Sequence, residues 1–590
     1  MRPILSALLF LGTFAAAAPG AEPPKAAASR SSALVEKAGD GYWAWIQKDS
    51  LFVRVRLGLP IESLPDFSLK KAEADAAFGR GILAQLEKAD EAELSHEELL
   101  SLWILREEAR DLVEAPGYYW LTFPVTPYTS PIGVINPYLT SYRFRTLADT
   151  GRYVQMLGSY AGMLGAMEKK LRAQARRNIL IPKDEITQVA ALISAAAASP
   201  EQSLLRVAPE RLASLPQGDR TDAARRVAEV IVVKVRPAAR SLVDYLNGDY
   251  RAKAPEAVGL SQYSGGKDYY AHLVRRRTTL PVTPEEVHRI GLLEMDKLNT
   301  LFDLVRQKME FKGSRDEFLA FLKTDPRFFA KTPDEVGERL MAAQKRIEDK
   351  IPTLFGKMPA APYGVKRLDP ELEGAMTFGY YQVPTSTDPK GYYKYNGTNL
   401  DKRSLLGAGS LISHELVPGH HFQLNLQAEN TSLPRWRQEG IGYTAFIEGW
   451  GEYSSALAGE LGMYEETYDL AGRILFDMFL TSRLVVDTGM NTLGWSRKKA
   501  MDYLRVNTDR SDSEIETETL RYSCDIPAQA LAYKMGSRKL WELRDRAQKA
   551  LGGRFDIRRY HDALLGSGAM PLDILEKHVD WFIAQEKARK

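Results

Sequence analysis

The sequence predicts a mainly α-helical protein of more than one lobe, with one small β-sheet set directly before a His-Glu helix. Three observations carry that reading. Apolar residues recur at three- and four-residue spacing through most of the 590-residue chain, the period of helices with one buried face. One short region, residues 359–400, exchanges that period for tyrosines interrupted by Pro, Gly and Asp, the pattern of short strands and turns. And 590 residues exceed what one core of usual size accommodates.

The chain opens "MRPILSALLFLGTFAAAAPGAE": Arg2, an apolar run Ile4–Phe14, then small residues Ala15–Ala21. This is the layout of an export signal, too short to span a bilayer. Residues 1–21 are therefore expected to be removed, which places the protein in the periplasm or outside the cell. Residues 22–40, rich in Ala, Ser and Lys, read as a flexible leader. Residues 41–358 read as a mainly helical N-terminal part and 359–590 as a metal-binding catalytic part, intertwined in one domain. Helices are expected over 67–89, 96–114, 146–178, 283–309 and 332–355; the last two open with Thr-Pro, a cap followed by a proline in the first turn. Two tyrosine-rich strands (375–385 and 391–399) follow, and helix returns from "LDKRSLLGAGSLISHE" to the end.

No later segment holds about 18 uninterrupted apolar residues, so no stable membrane insertion is expected once the signal is gone. Lys+Arg 79 against Asp+Glu 76 leaves +3, no electrostatic case for a nucleic-acid partner. Cys524 is the one cysteine. It excludes a disulfide within the chain, and none follows the signal to accept a lipid; Cys524 itself reads as a core residue.

The chemistry concentrates in "HELVPGHH" (414–421). Three of the 8 histidines fall in these eight residues. His-Glu-x-x-His on a helix puts two imidazoles on one face for zinc, but here Pro418 stands four residues after His414. Pro418 cannot donate to the carbonyl of residue 414, and Gly419 accepts unusual backbone angles, so the helix should break between the ligands. On an unbroken helix His421, at about 340°, faces with His414 better than His420 at about 240°, yet seven residues rise about 10.5 Å. A break instead lets His420 swing in. Periodicity leaves both open.

The following segment, "GIGYTAFIEGWGEYSSALAGELG" (440–462), supplies Glu448 and Glu452, one turn apart among aromatic neighbours, where unpartnered carboxylates are costly. His414, one histidine of the 420/421 pair and Glu448 would then hold a metal, with Glu415 as general base toward a metal-activated water. Glu452, and the remaining histidine of the pair, would support the ligands from behind. The competing reading of the histidines is a solvated polar helix face; the second helix with its two carboxylates weighs against it.

"HELVPGHHFQ", "FIEGWGEY", "PAQALAYKMG" and "HDALLGSGAMPL", in this order, resemble the domain-of-unknown-function 885 family of bacterial proteins, with the specific motifs confined to residues 375–575. That family resembles in turn the helical zinc peptidases related to thimet oligopeptidase, angiotensin-converting enzyme and thermostable carboxypeptidases. The resemblance implies two mostly helical lobes around a deep cleft, one Zn2+ per chain held by His414, His420 and Glu448, His421 beside them, and Glu415 as base. It implies an exported metallopeptidase cleaving short peptides. The chain departs from the family pattern at Ala528, where that pattern has glycine, a change expected to be neutral.

Three further assignments follow. Tyr533, on a helix begun after Pro527, is expected to donate to the oxyanion, with Tyr522 as runner-up. Arg521, Lys534 and Arg538 are candidates to hold a substrate carboxylate. Tyr393, Tyr395 and Asn396 are expected to pair with a peptide backbone as an added strand, against the plainer alternative of packing. Two rivals stand beside the peptidase: a zinc hydrolase of other amide or ester bonds, and an inactive binding protein that keeps the metal. The presence of Glu415 argues against the second. The oligomeric state is not readable from the sequence.

Overall fold

The computed structural model describes residues 29–199, 201–373, 379–385 and 388–589. The expected export signal, the start of the leader and residues 375–378 of the first expected strand lie outside them. Where the leader was expected to be flexible to residue 40, helix α1 (Arg30–Asp49) already begins, capped by Ser29 accepting from the Ser32 N–H. Val35, Ala38, Tyr42 and Ile46 bury one face of it; the Ala/Ser composition hid a helical spacing.

Helices α2 (Leu69–Leu86), α3 (His96–Glu114) and α4 (Leu147–Ala175) follow close to the expected spans. Next come α5 (Lys183–Ala197), α6 (Gln217–Val230) and α7 (Arg236–Tyr245). The Thr-Pro starts are real: Thr283 and Thr332 cap α8 (Pro284–Lys308) and α9 (Pro333–Glu348), each accepting from the backbone N–H three residues on.

Two large apolar cores result. One, around Tyr153, Leu157, Ile186 and Leu242, is built by α4–α7. The other, around Leu102, Leu340, Phe446 and Trp450, combines α1–α3 and α9 with the C-terminal helices. The division expected at 358/359 therefore does not coincide with a break in the core: the first three helices pack with the last. Charged groups join the first core to the segment 521–525 that precedes α15. Asp525 accepts from the backbone N–H of Tyr128 (2.6 Å) and Thr129 (3.1 Å), and Glu185 on α5 from that of Cys524 (3.3 Å). Cys524 is buried, as a core residue. Among the described residues no helix is long and apolar enough to cross a membrane.

Glu185 is fully buried, and burial first, then the nearby Asp525 charge, push its pKa up to about 8. The folded state thus holds a proton that the unfolded chain releases near pH 4.5. The stabilisation it contributes is complete below that value and is lost as pH rises through about 8. Glu185→Gln is expected to flatten the fall of the melting temperature between about pH 6 and 9, read by thermal unfolding across pH; an unchanged slope would remove Glu185 as its source.

The sheet has the order β1-β3-β2. Strand β1 (Tyr363–Arg367), which the sequence did not announce, runs parallel to β3 (Gly391–Tyr395); β2 (Gly379–Gln382) runs antiparallel to it. Beyond the sheet lie α10 (Ala408–Glu415), α11 (His420–Glu429), α12 (Thr444–Leu457), α13 (Thr467–Asn491), α14 (Asp512–Leu520) and α15 (Leu531–Leu551). Helices α12 and α15 meet glycine to glycine: a Cβ on Gly449 would lie 2.6 Å from the Gly536 Cα. That contact turns Glu448 and Tyr533 toward one cavity. Ala528, expected to be neutral, sits at φ 65° in the turn before α15, where an L side chain costs roughly 1–2 kcal/mol that glycine avoids. Its N–H donates to the Asp487 carboxylate, which pins the turn.

Candidate metal centre

The sequence "HELVPGHH" breaks its helix as the proline requires. Helix α10 ends at Glu415 and α11 begins at His420, with Leu416 at ψ −108° and a cis bond between Val417 and Pro418. The carbonyls freed by the break find side-chain donors: Gln344 Nε2 to Val417 (2.8 Å), Trp450 Nε1 (2.8 Å) and Ser454 Oγ (3.1 Å) to Pro418. A Cβ on Gly419 would meet the His414 carbonyl at 1.8 Å. Only glycine permits the chain to double back here.

The result is convergence. His414 Nε2 and His420 Nε2 each lie 3.3 Å from Glu448 Oε2, and the two imidazole rings stand nearly perpendicular, 4.6 Å apart. The donor atoms of all three residues fall within 4.8 Å of one another. Tetrahedral donors at ~2.0–2.2 Å from a zinc ion lie roughly 3.3–3.5 Å apart, so the spacing to Glu448 fits. Two imidazoles and one carboxylate are also the donor set of catalytic zinc sites that leave a position open. Gly451 gives the His414 ring its room, since a Cβ there would lie 2.8 Å from Nε2.

Electrostatics agree with this arrangement. Burial, then the proximity of His420, lowers the His414 pKa to about 4, which favours the neutral ring, the form of histidine that ligates a metal. Burial works against a charged His420, but the hydrogen bond and charge of Glu448 outweigh it and raise its pKa. Burial likewise opposes ionisation of Glu448, and the two histidines overcome it, holding that carboxyl well below the usual range. Glu415 differs: burial dominates and lifts it to about 7, the poise of a group that both takes and returns protons near neutrality.

These residues open on a cavity of about 410 Å³ between the sheet and helices α10, α12, α13 and α15. Tyr533 lines it, its ring 6.0 Å from that of His414 and nearly parallel. Its pKa is pushed up to about 12, by burial first and then the Glu448 charge, so it keeps its proton as a hydrogen-bond donor. Tyr522 is buried elsewhere against Glu518.

The structure corrects four expectations. Glu452 does not support an imidazole; its carboxylate pairs with Arg473, the partner that a buried charge one turn from Glu448 requires. His421 does not touch the ligands: Nε2 donates to the Ala361 carbonyl (2.9 Å), leaving Nδ1 to accept from the Tyr381 hydroxyl (2.8 Å). Lys534, next to Tyr533, points the other way onto Asp477 (2.6 Å), and Arg538 onto Glu294 (3.1 Å). Tyr393, Tyr395 and Asn396 line the cavity, but β3 is the middle strand and its backbone is already paired on both sides. The Asn396 amide is occupied by the Glu373 carbonyl and by Thr398. Arg521 does face the cavity, bonded to Glu518 and Gln529.

A model of the family described as "Bacterial protein of unknown function (DUF885)" matches residues 53–579. The chain belongs to that family. No curated protein matches it. Two solved structures share the fold. One is described as a "putative lipoprotein" from Colwellia psychrerythraea, with a TM-score of 0.86 and 23% identity over 95% of this chain and 100% of that one. The other is a "putative lipoprotein of unknown function" from Shewanella oneidensis, with a TM-score of 0.70 and 15% identity over 93% and 99%.

In this DUF885 chain the cavity also holds residues that sequence reasoning passed over. Arg483 stands on α13 between the apolar pairs Phe479–Leu480 and Leu484–Val485, and a charge in that setting was a usable signal. Arg403 and Arg510 come from loops that carry no signal. The backbone N–H of Tyr381 on β2 hydrogen-bonds Glu415, a contact no side-chain pattern encodes. Gly391 makes room for it: a Cβ there would strike the Tyr381 hydroxyl at 2.3 Å and His421 Nδ1 at 2.7 Å.

Proposed function

We propose that this protein is an exported zinc-dependent peptidase acting on short peptides. The observation that carries the reading is the position of Glu415, half-buried beside three convergent donor residues on the wall of a peptide-sized cavity, with its pKa near 7. When bound, zinc supplies Lewis acidity and makes water a nucleophile at neutral pH. Glu415 accepts the proton of the attacking water and delivers it to the departing amine. The Tyr533 hydroxyl donates to the oxyanion that develops on the substrate carbonyl. Among the described residues strand β2 pairs only with β3, and its residues Gly379–Tyr381 line the cavity; its other edge offers backbone groups to an extended peptide. The test is a mixed peptide library incubated with and without chelator and read by mass spectrometry. Metal-dependent cleavage is expected, and an untouched library would overturn the reading.

Tyr533→Phe is expected to lower kcat by ~10²–10³-fold with little change in KM, because its contact exists chiefly in the transition state. A kcat within about threefold of the parent would reassign this tyrosine to packing.

A further inference from the structure

We infer that the apolar end of the cavity is a side-chain pocket, so that the substrates are peptides with a large aliphatic or aromatic residue beside the cleaved bond. This deepens the peptidase reading and rests on it. Helix α10 runs from its N-cap, Gly407, to the metal centre, and it packs between α9 and α13. Gly407, Leu411 and His414 follow one another at spacings of four and three, so they share one face of the helix. Phe476 on α13 lies beside both ends of that face. Its ring stands 6.2 Å from the His414 ring, and its Cδ2 4.0 Å from where a Cβ on Gly407 would be. Leu340 on α9 joins Ala408 and Leu411 in one apolar cluster. All of these line the cavity, and Ala408, Leu411 and Phe476 are only half-buried. Apolar surface left facing water is unfavourable, and an apolar substrate side chain covers it.

Gly407 sets the size of this pocket. Its φ of −87° and ψ of 14° suit any residue, and a Cβ there would meet nothing nearer than the Gly472 carbonyl at 3.8 Å. Backbone and neighbours thus admit a side chain at 407, and what glycine leaves is room. From Gly407 to His414 the helix rises ~10.5 Å, space for a long side chain next to the reacting carbonyl. The charged lining lies elsewhere. Along α13, Phe476 and Leu480 give way to Arg483, seven residues past Phe476 and paired with Glu518 (3.0 Å). Arg403, four residues before Gly407, donates to the Thr398 carbonyl (2.7 Å) and feels the charges of Glu514 and Glu373. A charged side chain among Leu340, Leu411 and Phe476 would lose its water without gaining a partner, so the pocket selects against Lys and Glu.

The test uses host peptides of Gly and Ser that carry one variable central residue: Ala, Leu, Phe or Lys. Cleavage is followed by mass spectrometry, which also locates the cut, and binding by calorimetry on the Glu415→Gln protein. The Leu and Phe peptides are expected to be cleaved with kcat/KM ~10–200-fold above the Ala peptide, at a bond flanking the apolar residue, and the Lys peptide no better than Ala. Gly407→Leu, which fills the pocket, is expected to lower the Phe-to-Ala ratio by ~10-fold or more; the parent comparison decides even if that variant misfolds. A ratio unchanged in folded Gly407→Leu protein overturns this end of the cavity as the pocket. If nothing is cleaved while the Phe peptide still binds preferentially, the peptidase reading fails and the pocket survives. If the peptides are cleaved with Phe, Ala and Lys within about threefold of one another, the pocket is overturned and the peptidase reading stands. A protein that neither binds nor cleaves any of them overturns both.

Discussion

Glu415→Gln is expected to retain the metal and to lose turnover by ~10²–10⁴-fold. The amide keeps the shape of the side chain and can still contact the Tyr381 backbone, but it no longer takes a proton. The three donor residues are untouched, since Glu415 points into the cavity while His414, its neighbour, turns toward Glu448. Metal content by elemental analysis and peptide turnover on the same preparation separate the two effects. A variant that hydrolyses peptides as fast as the parent would remove Glu415 from the mechanism.

His420→Ala is expected to abolish zinc retention after dialysis, and His421→Ala to weaken it by no more than ~10–100-fold. Adjacent histidines differ so sharply because neighbouring positions on α11 diverge by about 100°. His420 aims Nε2 at Glu448, whereas His421 is held between the Ala361 carbonyl and the Tyr381 hydroxyl. Loss of His421 therefore loosens β2, whose Tyr381 N–H bonds Glu415, and should reduce turnover more than zinc affinity. The opposite ranking of zinc retention would show that helical periodicity was the better guide.

Much of this arrangement is legible in the sequence, and the reasons are local. The 3.6-residue period gave the long helices, and Thr-Pro their starts. The missing N–H of Pro418 implied the break, and carboxylates on an aromatic stripe implied partners. Less legible was everything set by packing between distant segments. Arg473, 21 residues after Glu452, is on another helix, and only the packed structure brings them together. Strand β1, "YGVKR", is five residues whose one fully buried position is Gly364, too short to show a period. Which cations face the cavity also followed no pattern: Lys534 turns away from it while Arg483 and Arg510 turn in. Neighbouring positions on a helix diverge by about 100°, so the residue beside a site residue is a poor candidate for the same site.

The most direct test of the account is a zinc titration of metal-free protein, with peptide cleavage measured at each addition. The account predicts that stripped protein is inactive and that the rate rises in proportion to added zinc, levelling at about one equivalent per chain, as a single three-ligand site requires. Stripped protein that cleaves peptides at the full rate, or a rate indifferent to zinc at every ratio, would contradict it.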